Sequence, residues 1–270
     1  MGFESIIAKI QSLPPLPASV VKLEEAFRKG EPDMKIIVSI IEGDPLLTAD
    51  ILAKVNSPIY GLRNRIVSVM QAVTLFGLGT VRALALKASM DRNFEIDMSP
   101  YGLNNEEFAK ISAMQNALMF QWYMGVDVER SKIMIPLAFL METGKVIIAK
   151  ELTESSYGET FREMLESNSV DEIEKEFTDV TSAQVTAMLF KHWNFEVIFS
   201  ILMEHVDQEE EIDKSIEEMV RAIRAVRTAI NIKEQLSEGS IEAGCKIVTK
   251  MGRDPIRFMN ASRRVKEKFA

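Results

Sequence analysis

Histidine and cysteine are almost missing from this sequence: His192, His205 and Cys245 are the whole supply in 270 residues. One cysteine excludes an internal disulfide and a cysteine-built metal cluster. The two histidines stand thirteen residues apart, about 20 Å on an unbroken helix. They meet only if the chain turns between them, and Asn194 is the residue placed to turn it. Even together, two histidines and scattered carboxylates make a poor zinc or iron site, so each reads as a packed or surface side chain. No phosphate-cradling glycine loop is present, since LFGLGTVRAL holds glycines without either nucleotide fingerprint. There is no G-x-S-x-G elbow. No uninterrupted apolar run reaches the length of a bilayer span, so membrane insertion is not expected. The start, MGFESIIAKI, lacks the basic flank and long apolar core of a secretory leader, and Ile6 stands where a myristoylation motif needs Ser or Thr. Excess positive charge is absent too. The 32 Lys and Arg face 40 Asp and Glu, and the net charge of -8 opposes general binding to phosphate backbones. A cytoplasmic protein fits these absences.

What is present is helical pattern. Hydrophobic residues make up 47% and charged residues 27%, enough to fill a core. After the proline-stiffened arm Leu13–Pro17, a helix carries Val20, Leu23 and Phe27 on one face and stops at Gly30. A second turns Ile36, Ile37, Ile40 and Ile41 inward. A third is capped by Asp44 with Pro45 at its first position and ends near Asn56, before Pro58. A fourth begins with the capping-box spacing of Ser68 and Gln71, with Val67 and Ala72 as a staple, and breaks at Gly77 and Gly79. A fifth buries Val81, Leu84, Ala85 and Ala88. The irregular stretch DRNFEIDMSPYGLNN divides the chain into residues 1–95, five helices, and residues 96–270, a larger set of longer helices. Among these, the segment from Ser215 to Leu236 places Ile216, Met219, Ile223, Val226 and Ile230 inward and Arg221, Arg224 and Arg227 outside. The fold class expected is all-α. Trp122 and Trp193 read as core anchors, and the acidic run VDQEEEID as a solvated face. The basic tail (Arg253, Arg257, Arg263, Arg264, Lys266, Lys268) reads as a helix end favoured by the macrodipole.

Three phrases are more specific than periodicity. SLPPLPASVVKL, IIEGDPLLTADILAKVNSPIYG and IVSVMQAVTLFGLGTVRALAL, in that order, closely resemble the HDOD domain, the HD-related output domain of bacterial signalling proteins. The resemblance runs from about Leu13 to Val206. It implies an N-terminal five-helix bundle packed on a larger HD-like helical bundle, and kinship with the metal-dependent HD and HD-GYP phosphohydrolases. The hallmark of those enzymes is Leu-His-Asp-x-Gly-Lys, whose histidine and aspartate bind metal. The matching stretch here is Leu140-Met141-Glu142-Thr143-Gly144-Lys145. Methionine is a poor ligand for a hard hydrolytic metal. The upstream helix FAKISAMQNA has no histidine, and Ser182 stands near a place often held by one.

The resemblance therefore implies a module with a degenerate active site: no catalytic residue, no metal, no cofactor, and a function in bacterial signal transduction. It implies a signalling-protein partner, a possible nucleotide ligand in the old cleft, and roles in motility, chemotaxis or cyclic-di-GMP-linked behaviour. The alternatives are a degenerate phosphohydrolase acting on a nucleotide or cyclic dinucleotide, and a nucleic-acid-associated regulator, which the net charge disfavours. Candidate polar contacts at the junction of the two halves are Arg63, Arg65, Glu142 and Lys145. Glu142, if buried, needs a partner, and Lys145 or Arg130 is placed to supply it. Asp44, Pro45, Asn56, Pro58, Tyr60, Gly61, Gly77 and Gly144 are expected to act through structure: caps, a turn, and helix breaks or close approaches.

Overall fold

Asp44 accepts hydrogen bonds from the backbone N–H groups of Leu46 and Leu47, and Pro45 follows it at a position that needs no donor. Local chemistry of this kind starts most helices of the computed structural model, which describes residues 2–30, 32–60, 62–93, 96–208 and 212–270, without the side chains of Ile59 and Asn93. Gly61 lies outside the described residues. The first part of the chain holds α1 (Phe3–Gln11), α2 (Ala18–Arg28), α3 (Met34–Glu42), α4 (Pro45–Val55) and α5 (Val69–Asn93). A 3-10 turn at Pro58–Tyr60 joins α4 to α5, and a second, at Ser99–Tyr101, precedes α6 (Asn105–Tyr123). Then come α7 (Val128–Leu140), α8 (Gly144–Glu154), α9 (Gly158–Leu165), α10 (Val170–Thr178), α11 (Ser182–His192) and α12 (Val197–His205). The chain closes with α13 (Lys214–Ala229), α14 (Glu238–Lys250) and α15 (Pro255–Phe269). The fold is all-α; among the described residues the β content is one isolated bridge between Ile230 and Gln235.

Helices α2 to α5 pack on one another, and α5 rests on α7. Helix α1 instead lies on α8 and α11. Its Lys9 pairs with Glu151 at 3.1 Å and with Glu154, and its Ser5 hydroxyl donates to Glu151 at 2.8 Å. Arg82 on α5 is buried. It grips Glu24 on α2 with two hydrogen bonds of 2.7 and 2.6 Å, reaches Glu196 before α12 at 2.7 Å, and lies over the rings of Phe27 and Phe199. Asn56 bridges its turn: its side-chain amide donates to the carbonyls of Leu52 and Ile66 and accepts from the N–H of Ile66, all within 2.8 Å.

Several sequence expectations need correction. Val69–Arg92 is 24 residues long and, by length and composition, apolar enough to cross a membrane. Its apolar residues are interleaved with Gln71, Thr74, Thr80, Arg82 and Lys87, so no single run reveals it. Gly77, at φ 78° and ψ 160°, breaks that segment, and 56% of its most apolar window is buried within the protein. Ile36 is exposed, because α3 turns Ile37, Val38 and Ile41 inward. Val67 is also exposed and makes no staple; Gln71 instead accepts from its backbone N–H. Helix α13 ends at Ala229, where the backbone extends into the bridged turn. Arg224 and Arg227 of α13 face inward rather than out: Arg224 donates to the carbonyls of His205 and Val206, and Arg227 reaches Glu142 and Asp207.

Candidate functional site

The break between α7 and α8 sets Glu142, Gly144 and Lys145 against α11. Gly144 is required by closeness: a Cβ there would lie 2.0 Å from the Ser182 carbonyl oxygen and 2.8 Å from the Thr186 nitrogen. Its own N–H donates to the Thr186 hydroxyl at 2.8 Å, tying the start of α8 to α11. That contact pushes the next residue's side chain into the interior. The Lys145 ammonium is buried, 2.8 Å from Glu142 Oε2 and 3.3 Å from Glu174 Oε1, and donates to the Ser182 hydroxyl at 2.6 Å. The Tyr101 ring lies 5.8 Å from it, and the Tyr101 hydroxyl donates to Glu174 at 2.9 Å. The backbone N–H of Ser182 donates to the second oxygen of Glu174.

Glu142 is held from the other side as well. The Gln115 amide donates to Glu142 Oε1 at 3.1 Å, and Arg227 Nε stands 3.2 Å from the same oxygen. Arg227 also pairs with Asp207 at 2.6 Å and lies 3.9 Å from Asp171. Arg130, the other partner expected for Glu142, pairs instead with Glu218 at 2.8 Å, because α7 turns it toward α13. These groups, the first three buried and the last two partly so, form one alternating chain of charge, Glu174–Lys145–Glu142–Arg227–Asp207.

Electrostatics follow from that order. Burial pushes the Glu142 carboxyl up, but Lys145 and Arg227 outweigh it and bring it down to about 2. Burial pulls the Lys145 ammonium down, and its two carboxylates reverse this and raise it above the usual lysine range. Glu174 ends above its ordinary value: burial raises it, and Lys145 offsets that only in part. Burial and then Glu174 push the Tyr101 phenol well above its range.

Beside this chain opens a cleft of about 490 Å3, lined by Glu142, Lys145, Asp171, Asp207, Arg227 and Lys233 among others. Asp207 Oδ2 is buried there without a hydrogen-bond partner. Of the four candidate contact residues, Glu142 and Lys145 line this cleft. Arg63 and Arg65 do not; both are exposed in the loop between α4 and α5. The structure therefore does not bring the four together. His192 is exposed at the end of α11, and His205 Nδ1 contacts the Ile201 carbonyl oxygen at 2.8 Å. Asn194, at φ 52°, makes the turn between their helices. Among the described residues no group of three His, Cys, Asp or Glu side chains could hold a metal ion. Where the sequence resemblance implied a metal pair, Met141 is packed in the core and Glu142 is neutralised by two cations.

Sequence reasoning missed Glu174, Asp207, Asp171, Gln115 and Tyr101 as members of this site. Only one signal pointed to any of them: a glutamate in the Met141–Lys145 break demands countercharge from elsewhere in the fold.

Comparison with known proteins bears on the whole arrangement. The family model for the HDOD domain matches residues 13–209. A crystal structure of a virulence factor from Campylobacter jejuni subsp. jejuni is 26% identical, with a TM-score of 0.61 over 98% of this chain and 96% of the other. An HDOD domain protein from Geobacter sulfurreducens is 14% identical, with a TM-score of 0.55 over 97% and 96%, and shares the fold. An uncharacterized protein of Treponema pallidum (strain Nichols) is 28% identical over 88 residues, 33% of this chain; the match spans 17% of that relative's length.

Proposed function

The chain belongs to the HDOD domain family, and from that premise we propose that it is a non-catalytic bacterial signalling module that works by binding a protein partner in the cytoplasm. The observation that carries this reading is the use of Glu142. In the kindred phosphohydrolases the matching position is an aspartate that binds metal. Here the carboxylate is consumed by Lys145 at 2.8 Å and Arg227 at 3.2 Å, and Met141 beside it offers no hard ligand. A metal would have to displace a buried ammonium group to reach it.

We take residues 1–95 as a five-helix N-terminal unit packed on an HD-like bundle of residues 96–270. The five are α2, α3, α4 and the two arms of α5 on either side of Gly77, and their mutual packing supports this; α1, which the sequence pattern did not announce, lies on α8 and α11 of the larger unit. We place the partner contact on the exposed loop of Arg63 and Arg65, where two exposed cations suit an acidic protein face. The open cleft beside Glu142 favours a second reading, in which a nucleotide binds there as a regulatory ligand. The basic tail supports nucleic-acid binding poorly, because Arg253 pairs with Glu218 and Arg263 with Glu238.

The test is affinity capture from bacterial lysate with wild-type bait and with Arg63→Glu/Arg65→Glu, alongside metal analysis of protein purified without chelator. The expected result is a chemotaxis, flagellar or receiver-domain partner that the double variant loses. A stoichiometric transition ion that disappears in Glu142→Gln, or turnover of a cyclic dinucleotide, overturns the non-catalytic reading. A partner retained in full by the double variant overturns the location.

A further inference from the structure

A second cavity, of about 280 Å3, lies between α4, the Pro58–Tyr60 turn, α5, α6 and α7, with no lining residue in common with the Glu142 cleft. Most of its wall is apolar: Tyr60, Leu84, Phe108, Ala113 and Phe139 contribute. Three of these are aromatic rings. One wall is charged. Lys54 and Lys87 both reach Asp91, at 2.6 Å from one carboxylate oxygen and 2.9 Å from the other. Burial pushes the Asp91 carboxyl up, but the two lysines bring it below its usual range, so it is ionised at neutral pH. Among the described residues no other charged side chain lines the cavity. Two ammonium groups thus share one carboxylate, so the described residues of the wall carry one net positive charge, with Lys87 also 5.3 Å from the centre of the Phe108 ring. Ser112, also in the lining, is buried, and among the described residues its hydroxyl makes one hydrogen bond, a long one of 3.5 Å to the Phe108 carbonyl. That leaves a hydroxyl with bonding capacity to spare on the cavity surface.

We propose that this cavity binds a small aromatic carboxylate, its ring among Tyr60, Phe108 and Phe139 and its carboxylate on Lys54 and Lys87. The volume is at the low end for ligand sites and suits one ring rather than a nucleotide. A neutral apolar molecule leaves the surplus charge unanswered, and a dianionic phosphate exceeds it. An aromatic monoanion satisfies both walls, through edge and face contacts with the rings and charge-assisted hydrogen bonds to the ammonium groups. The cavity walls come from both sides of the 95/96 boundary, so an occupant would touch both units at once. The proposal goes beyond the signalling reading and does not depend on it.

The test is titration calorimetry on the full chain with benzoate, phenylacetate and indole-3-acetate, and with benzyl alcohol as the neutral control. At least one carboxylate is expected to bind with a Kd of about 1 mM or tighter, and benzyl alcohol at least about tenfold more weakly. Lys54→Met, which leaves Asp91 paired with Lys87, weakens the carboxylate by about tenfold. Ala109→Trp, which fills the cavity, abolishes binding; circular dichroism checks the fold of both variants, and Lys54→Met decides alone if the tryptophan variant unfolds. No binding of any of the three at about 10 mM overturns the proposal, as does an affinity unchanged by Lys54→Met or matched by benzyl alcohol.

Discussion

Replacing Lys145 by methionine removes the cation at the centre of the buried chain and keeps much of its volume. Glu174 then loses its ion-pair partner among the described residues while staying fully buried, and Glu142 keeps Arg227 and Gln115. Breaking a buried pair by removing one member costs about 3–5 kcal/mol. For a chain of this size that should move the urea midpoint down by about 1 M or more. The pH dependence has a definite sign. In the wild-type protein Glu142 sits below its unfolded value of 4.5, so its stabilisation is present above that pH and fades as pH falls toward about 2. Glu174 sits above its unfolded value, so it opposes folding progressively as pH rises through its folded value. In Lys145→Met the Glu174 carboxyl rises further and takes up a proton instead of standing charged and alone. The deficit of the variant is therefore larger at pH 8 than at pH 5. Adding Glu174→Gln removes the stranded charge and should recover about 1–3 kcal/mol. Urea unfolding of Lys145→Met, of Glu174→Gln and of the double variant at both pH values is the assay. A Lys145→Met midpoint equal to wild type, or a double variant that loses the full sum of the single losses, would refute the reasoning.

Gly144→Ala should cost at least about 3 kcal/mol, since the opposing atoms are backbone of α11 and cannot turn aside; a thermal melt within a degree of wild type would contradict this. Asn56→Ala strands the N–H and carbonyl of Ile66, while the Leu52 carbonyl keeps the backbone N–H of residue 56, and a loss of about 2–4 kcal/mol is expected in chemical denaturation. Arg82→Met leaves Glu24 buried without countercharge, for a loss of about 3–5 kcal/mol, and Arg82→Lys should rescue little of it because an ammonium cannot reproduce the two-pronged bond; equal melting of Arg82→Lys and wild type would show that charge alone suffices.

What the chain reveals in one dimension is what its neighbours in sequence decide. Asp44 and Pro45 announce the start of α4 because the bonds they make or forgo lie within three residues. Asn56 and the glycine before Lys145 were legible for the same reason, as breaks in a local pattern. Ile36 was misplaced because α3 is short, and a shift of a few tens of degrees moves an apolar residue to the water face. The candidate site was half legible. Glu142 and Lys145 belong to one break, but their surroundings come from Tyr101, Glu174, Asp207 and Arg227, on segments far apart in the chain. Three arginines spaced along α13 look alike by periodicity, and only the packed fold selects which of them turns toward Glu142.

Helix α1 is made long before the surfaces it rests on. Its seat on α8 and α11 is complete only when residue 192 has been synthesised, some 180 residues after α1 itself. At about 5–20 residues per second the nascent chain carries an amphipathic helix without its seat for about 10–40 s. Ile6 and Ile10, fully or nearly fully buried in the finished protein, stay open to solvent or to a chaperone for that interval. Helix α1 emerges before α2 to α15 and is among the last of them to dock, and ribosome-bound chains truncated before α11 should expose it to protease.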